Sequence, residues 1–315
     1  MVAGQAAGVV NDAELTDAER RFRVLLRALA AILVLAGLAY FFGPLAGPFR
    51  DLYVEPPFVL NSVTKVTVLG VCCLYVSGDV RRRMGLAAIV IFAHFVSVAA
   101  MIVALAFGHT GGTMSFGSLG NASVGSVLWG AIGLDGVITL VVIVFYVLAR
   151  KSQPTRAGAA KQPTQLQGTE HWMRVFAVIA GVWFVISGAG YEIGGLLDST
   201  RGLFRQWPFV TNSVVMSSTF AMLCFYVARD VRTRLSLWGV VASGLVLSSL
   251  VGFAYLTFLH TDYTRPFFSH QLNMTDILWG FIGVHLLSAV SFFALYAAVW
   301  KKRYPTSYFV PVQYR

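Results

Sequence analysis

The sequence predicts an all-α integral membrane protein: eight transmembrane helices as two tandem, parallel four-helix repeats, both termini cytoplasmic. Three observations carry this expectation. Of 315 residues, 57% are apolar and 12% charged, about half the charged share of a soluble domain. The charges cluster between apolar windows of about 20 residues, the length a helix needs to cross a hydrocarbon core of about 30 Å. Finally, the chain returns on itself at an offset of 151. Pro57, Phe58, Val59, Asn61, Ser62 and Val63 match Pro208, Phe209, Val210, Asn212, Ser213 and Val214. A β-barrel would need short segments of alternating polarity, and these are absent.

The repeat continues beyond that stretch. Cys73, Tyr75, Asp79, Arg81 and Arg83 return as Cys224, Tyr226, Asp230, Arg232 and Arg234, and His109-Thr110 as His260-Thr261. Gly37, Tyr40 and Gly43 return as Gly188, Tyr191 and Gly194; Leu128-Trp129-Gly130 returns as Leu278-Trp279-Gly280 after one residue is lost from a loop. Shared apolar bias would not align loops, so the matches imply duplication. The domains expected are a cytoplasmic tail over 1–20, a first unit over 21–150, a linker over 151–170, a second unit over 171–303 and a tail over 304–315.

Taken in order, the crossings are expected over 25–44, 61–80, 85–107, 127–149, 173–194, 211–230, 236–258 and 277–299. The first follows a basic run at Arg20, Arg21 and Arg23, and Gly43-Pro44 ends it. A loop with four prolines leads to the second, where Asn61 is the expected N-cap. His94 alone interrupts the third. The Gly- and Ser-rich stretch after it reads as a flexible loop. Aromatic residues before helices 2 and 6, among them Tyr53, Phe58, Phe204 and Trp207, read as interfacial belts.

Basic residues set the orientation. The tails, the 2–3 and 6–7 turns, the linker and the helix ends beside them hold 19 of the 24 Lys and Arg, against four in the opposite loops. Each unit has an even number of crossings, so the two would insert the same way up. The expected location is the cell (plasma) membrane. The N-terminal stretch lacks the order of a signal peptide. The net charge of +10 then reads as a topological signal, with the lipid bilayer as partner rather than nucleic acid. Cys72, Cys73 and Cys224 read as core residues.

Ionisable groups within membrane helices are costly and therefore mark candidate sites. The candidates for ligand binding are Asp135, His285, Lys65 and His94. Asp135 and His285 hold equivalent places in helices 4 and 8, and Lys65 is the expected charged neighbour of Asp135. Against that reading, Lys65 can snorkel outward, and Asp135 can serve packing alone. Glu192 reads as a headgroup-zone residue at the outer end of helix 5. Gly130 and Gly133 form a small-residue face on which another helix can pack, which would put protein on both sides of helix 4. His94 and His285 lie in different units and neither is repeated, which argues against a haem. No cofactor or metal is expected, and the loop histidines His109, His260 and His270 read as solvated. Asp79, Arg81, Arg83, Asp230, Arg232 and Arg234 form the candidate cytoplasmic interface, either a topological anchor or a docking site for a protein partner. No phosphate loop, nucleophile elbow, metalloprotease motif or dinucleotide fingerprint is present. The expected function is a non-enzymatic membrane subunit or scaffold of a larger complex. The alternatives are a pseudo-symmetric transporter of small molecules or ions and, third, a membrane-embedded redox protein.

Overall fold

A computed structural model describes residues 15–43, 56–108, 112–115, 120–153, 168–197, 207–259, 261, 263–267 and 270–303. The proline-rich loop after Pro44, His109, His260, most of the linker and the C-terminal tail lie outside them. Eight helices run up and down: α1 (Asp17–Phe42), α2 (Pro56–Gly78), α3 (Val80–Phe107), α4 (Val124–Lys151), α5 (Thr169–Leu196), α6 (Trp207–Arg229), α7 (Val231–Phe258) and α8 (Met274–Arg303). All eight are long and apolar enough to cross a membrane.

The helices begin earlier than the hydropathy windows imply, because their starts are polar. Thr16 caps α1 through a capping box: its hydroxyl accepts from the Glu19 amide at 3.2 Å, and the Glu19 carboxylate accepts from the Thr16 amide at 2.9 Å. Glu19 is therefore a helix residue rather than part of a tail. α2 opens on Pro56 and Pro57, where a fixed φ suits a first turn. Asn61 consequently lies five residues inside the helix and is not its N-cap.

The basic turns also differ from expectation. Asp79 and Asp230 do not close α2 and α6. Each caps the next helix, accepting the amide of Arg82 at 3.1 Å or of Thr233 at 3.3 Å. α3 and α7 thus start at Val80 and Val231, several residues before 85 and 236. Charged residues sit well in the first turn of a helix whose apolar run comes later, so hydropathy places the start too late.

At the opposite end, the expected flexible loop contains a hairpin. β1 (Thr113–Ser115) pairs antiparallel with β2 (Asn121–Ser123), and β3 (Thr264–Phe267) pairs with β4 (His270–Asn273). Gly120 adopts φ +94° just before β2, the left-handed region a residue without Cβ enters freely. Met114 is buried against the bundle and anchors the first hairpin.

α2 and α6 form the centre: 78% of each apolar window is buried, against 11% for α4. α1 packs on α2 and α5 on α6, while α3 packs more extensively on α6 than on α2. α7 likewise contacts α2 more than α6. The halves interlock, and one core runs through both, from Phe22 and Leu26 to Cys72, Cys73, Cys224, Trp238 and Phe292. Trp238 stacks on Phe292 at 4.3 Å and donates to its carbonyl at 2.7 Å.

Candidate functional site

Polar residues on the inner faces of α2 and α6 meet about one and a half turns from the hairpin ends of these helices. Asn61 donates through Nδ2 to Ser213 Oγ at 3.0 Å, and Asn212 donates to Ser62 Oγ at 3.0 Å. Tyr191 of α5 hydrogen-bonds Asn61, and Tyr40 of α1 hydrogen-bonds Asn212. Asn61, Ser62 and Ser213 have no more than trace exposure and Asn212 is buried. Polar groups at this depth need partners, and each half donates one amide hydrogen bond to a serine of the other. The repeated Asn-Ser pair was the signal in the sequence. Its role as a crosslink escapes a reading that assigns Asn61 to a helix cap.

The charged candidates lie beside this layer. Lys65 Nζ donates to Asn212 Oδ1 at 2.7 Å and to Ser97 Oγ at 3.5 Å. Ser97 in turn donates to Asp135 Oδ2 at 2.6 Å. His94 Nδ1 stands 3.7 Å from Asp135 Oδ1, and Thr139 donates to the Asp135 backbone carbonyl at 2.6 Å. α2, α3, α4 and α6 all contribute. Ser97 thus stands between Lys65 and Asp135, with a hydrogen bond to each. Lys65 is buried and does not snorkel. Asp135 faces α3 rather than open lipid, with a side chain 19% exposed.

His285 is not part of this cluster. It lies on α8, where Nδ1 pairs with Ser248 Oγ of α7 at 2.8 Å, and Phe281 meets it edge-on. It lines a cavity of about 380 Å³ with Trp183, Tyr191, Met216, Leu245 and Phe281. His94 and His285 thus do not converge on a shared site. Ser97 and Ser248, partners to the two candidates, were not singled out in the sequence. They sit 151 residues apart, and that offset was the available signal.

The small-residue face of α4 is bare. No neighbouring atom lies within 4 Å of a Cβ placed at Gly130 or Gly133, nor at Gly280 or Gly283 of α8. The expectation of protein on both sides of α4 is not met among the described residues. The helix docks through Leu128, Thr139 and Val142 instead. Glu192 has both carboxylate oxygens buried, without a hydrogen-bond partner among the described residues. His270 is exposed on β4.

The candidate interface residues at the basic end are all engaged within the chain. Arg81 forms a bidentate pair with Glu19, both contacts at 2.8 Å, and Arg232 pairs with Glu170 at 2.8 Å. Arg83 lies 3.7 Å over the Tyr75 ring and Arg234 3.6 Å over Tyr226, each also donating to that tyrosine's carbonyl. These contacts orient the α2–α3 and α6–α7 turns. The sequence matches no protein-family model, and neither curated proteins nor solved structures give a match.

Proposed function

We propose that this chain is a non-enzymatic subunit or scaffold of the cell membrane, formed by tandem duplication of a four-helix unit with both termini in the cytoplasm. The observation that supports it best is the crossed pair of hydrogen bonds between α2 and α6, Asn61 to Ser213 and Asn212 to Ser62. Partners 151 residues apart exchange roles there, as expected of two copies facing each other across a twofold axis along the membrane normal. The same offset relates the Arg81–Glu19 and Arg232–Glu170 pairs. The layer joins the halves through α2 and α6, and a closed, hydrogen-bonded seam suits a fixed framework. The basic turns favour the cytoplasmic face, with the lipid bilayer as first partner and the bare faces of α4 and α8 open to a membrane protein partner. Purification in mild detergent tests this reading. A stable co-purifying membrane complex is the expected result, and a lone, partner-free chain would sink it.

A second reading has its own support. Lys65, His94 and Asp135 form a buried titratable group, of the kind found along ion pathways. Proteoliposomes with a pH-sensitive dye test it: proton flux abolished by Asp135→Asn would replace the scaffold reading with transport.

A further inference from the structure

The cavity beside His285 has properties that the scaffold reading does not use. α5, α6, α7 and α8 enclose it, and its surface is mostly apolar and aromatic. Trp183 and Val284 stand at its edge and are 56% and 51% exposed on the flank of the bundle. The mouth therefore opens sideways, between α5 and α8. His285 lies eleven residues from Met274, about 16 Å along α8 at 1.5 Å per residue. That depth falls in the hydrocarbon zone of a spanning helix. A molecule reaching this mouth comes from the bilayer.

Hydrogen bonding fixes what His285 offers. Ser248 is 1% exposed, so its hydroxyl proton requires an acceptor. The neighbouring Ser249 donates to the Leu245 carbonyl at 3.1 Å, whereas the contact of Ser248 is His285 Nδ1. If Nδ1 donated instead, the serine proton would be left buried and unsatisfied. The network therefore assigns Ser248 as donor and Nδ1 as acceptor, which puts the ring proton on Nε2. A neutral His285 presents one N–H in a largely apolar pocket, beside the hydroxyls of Ser187, Tyr191, Ser217 and Ser288. The walls add flat surfaces: Tyr191 and Phe281 stack at 6.3 Å, and Phe281 meets the imidazole edge-on at 5.8 Å.

We infer that this cavity binds a membrane-dissolved lipid with a planar, carbonyl-bearing ring head, the chemistry of an isoprenoid quinone, whose oxygen accepts from His285 Nε2–H while its tail leaves between α5 and α8. A volume of about 380 Å³ suits a ring head and the first tail carbons, within the range of ligand pockets. A second cavity, about 410 Å³ between α1, α2 and α7, is lined by Val34, Leu38, Phe41, Val63 and Leu250, with Thr67 as its polar side chain. Thr67 offers a hydroxyl but no ring N–H, so that cavity serves as the internal comparison.

The experiment is a titration of the full chain in phosphatidylcholine nanodiscs with decylubiquinone, read by quenching of tryptophan fluorescence. Saturable quenching is expected, at least tenfold weaker for His285→Leu and retained within about threefold for His285→Gln, whose amide keeps an N–H donor. Gly280 is exposed and borders the cavity, so Gly280→Leu should obstruct its mouth and weaken saturable quenching at least tenfold without loss of folded protein. Decylbenzene, with the tail but no carbonyl, should bind at least tenfold more weakly. Equal quenching in all variants would show partition into lipid or binding at the α1–α7 cavity and would overturn the inference, as would a linear, unsaturable curve. Either result leaves the co-purification outcome unaffected, so the two proposals fail separately.

Discussion

In the first half, α2, α3 and α4 converge on Lys65, His94 and Asp135. At the corresponding positions of the second half stand Met216, Leu245 and His285. Ser97 and Ser248 are common to both, and each hydrogen-bonds the residue at the α4 or α8 position. A cation, a carboxylate and an imidazole thus occupy one place, and a thioether, an isobutyl and an imidazole the other. The consequence is spatial. Charges in a medium of low dielectric need partners at close range, so the first half draws its side chains together through Ser97 and Asn212. A neutral histidine needs no countercharge, and the second half keeps a cavity open to the side. The difference shows how one framework can hold two sites of opposite character, with three exchanged residues setting the charge and others, such as Ala131 against Phe281, shaping the cavity wall.

The most severe way to break the contrast is to remove the carboxylate. Asp135→Ala leaves Lys65 buried without its countercharge, a loss of about 3–5 kcal/mol on the scale of broken buried pairs. The double variant Lys65→Met with Asp135→Ala, which copies the neutrality of the second half, should recover much of the thermal stability. Equal melting temperatures for single and double variants would show that the two charges are not coupled through Ser97.

The reverse transplant should cost slightly less. Met216→Lys puts a cation beside His285 with no carboxylate in reach, at about 2.5–3.5 kcal/mol on insertion scales. Adding His285→Asp rebuilds the first half's arrangement, with Ser248 placed to donate to the new carboxylate. The double variant should then be more stable than Met216→Lys alone. A double variant that melts lower would mean that the second half lacks the geometry for an ion pair.

Smaller again is the effect of exchanging Gly244 for the alanine that the first half carries at Ala93. A Cβ at Gly244 would stand 2.7 Å from Val68 Cγ2 and 2.9 Å from Phe220 Cζ. Gly244→Ala should cost about 1–3 kcal/mol, as overpacked cores do. An unchanged melting temperature would show that α7 can move away from α2, weakening the case for interlocked halves.

How much of this was legible in the sequence depended on the kind of signal. Eight apolar windows gave eight helices, because hydropathy at this length has few other outcomes. Lys65 and Asp135 were nameable as neighbours because both are charged, and charge in an apolar run is conspicuous. Ser97, Ser248, Asn61 and Asn212 were not, since small polar residues in membrane helices are common and their partners are chosen by packing between distant helices. Glu19 was hidden differently. It lies in a polar stretch that reads as a tail, and only its capping box with Thr16 and its pairing with Arg81 reveal a folded residue. The hairpins escaped because their Gly and Ser content outweighs, in composition, the few residues that pair.

The mildest comparison concerns those pairs at the basic end. Arg81–Glu19 and Arg232–Glu170 occupy corresponding places, but their surroundings differ. The Glu19 side chain is 0% exposed and that of Glu170 is 17% exposed. Arg81 binds both Glu19 oxygens, and Arg232 binds Glu170 Oε2 through Nε and Nη2, each at 2.8 Å. Removing Arg81 leaves a buried carboxylate held, among the described residues, by the Thr16 hydroxyl and amide. Removing Arg232 leaves one that water can reach. Arg81→Ala should therefore cost about 1–3 kcal/mol, near the penalty for an unsatisfied buried group, and Arg232→Ala about 0.2–1 kcal/mol, as for exposed pairs. Raising the salt concentration separates the two further, since screening weakens the more accessible pair more. Melting curves of both variants in low and high salt decide the matter. Equal losses with equal salt dependence would mean that the two turns are energetically alike, and that the halves differ only at the depth of Asp135 and His285.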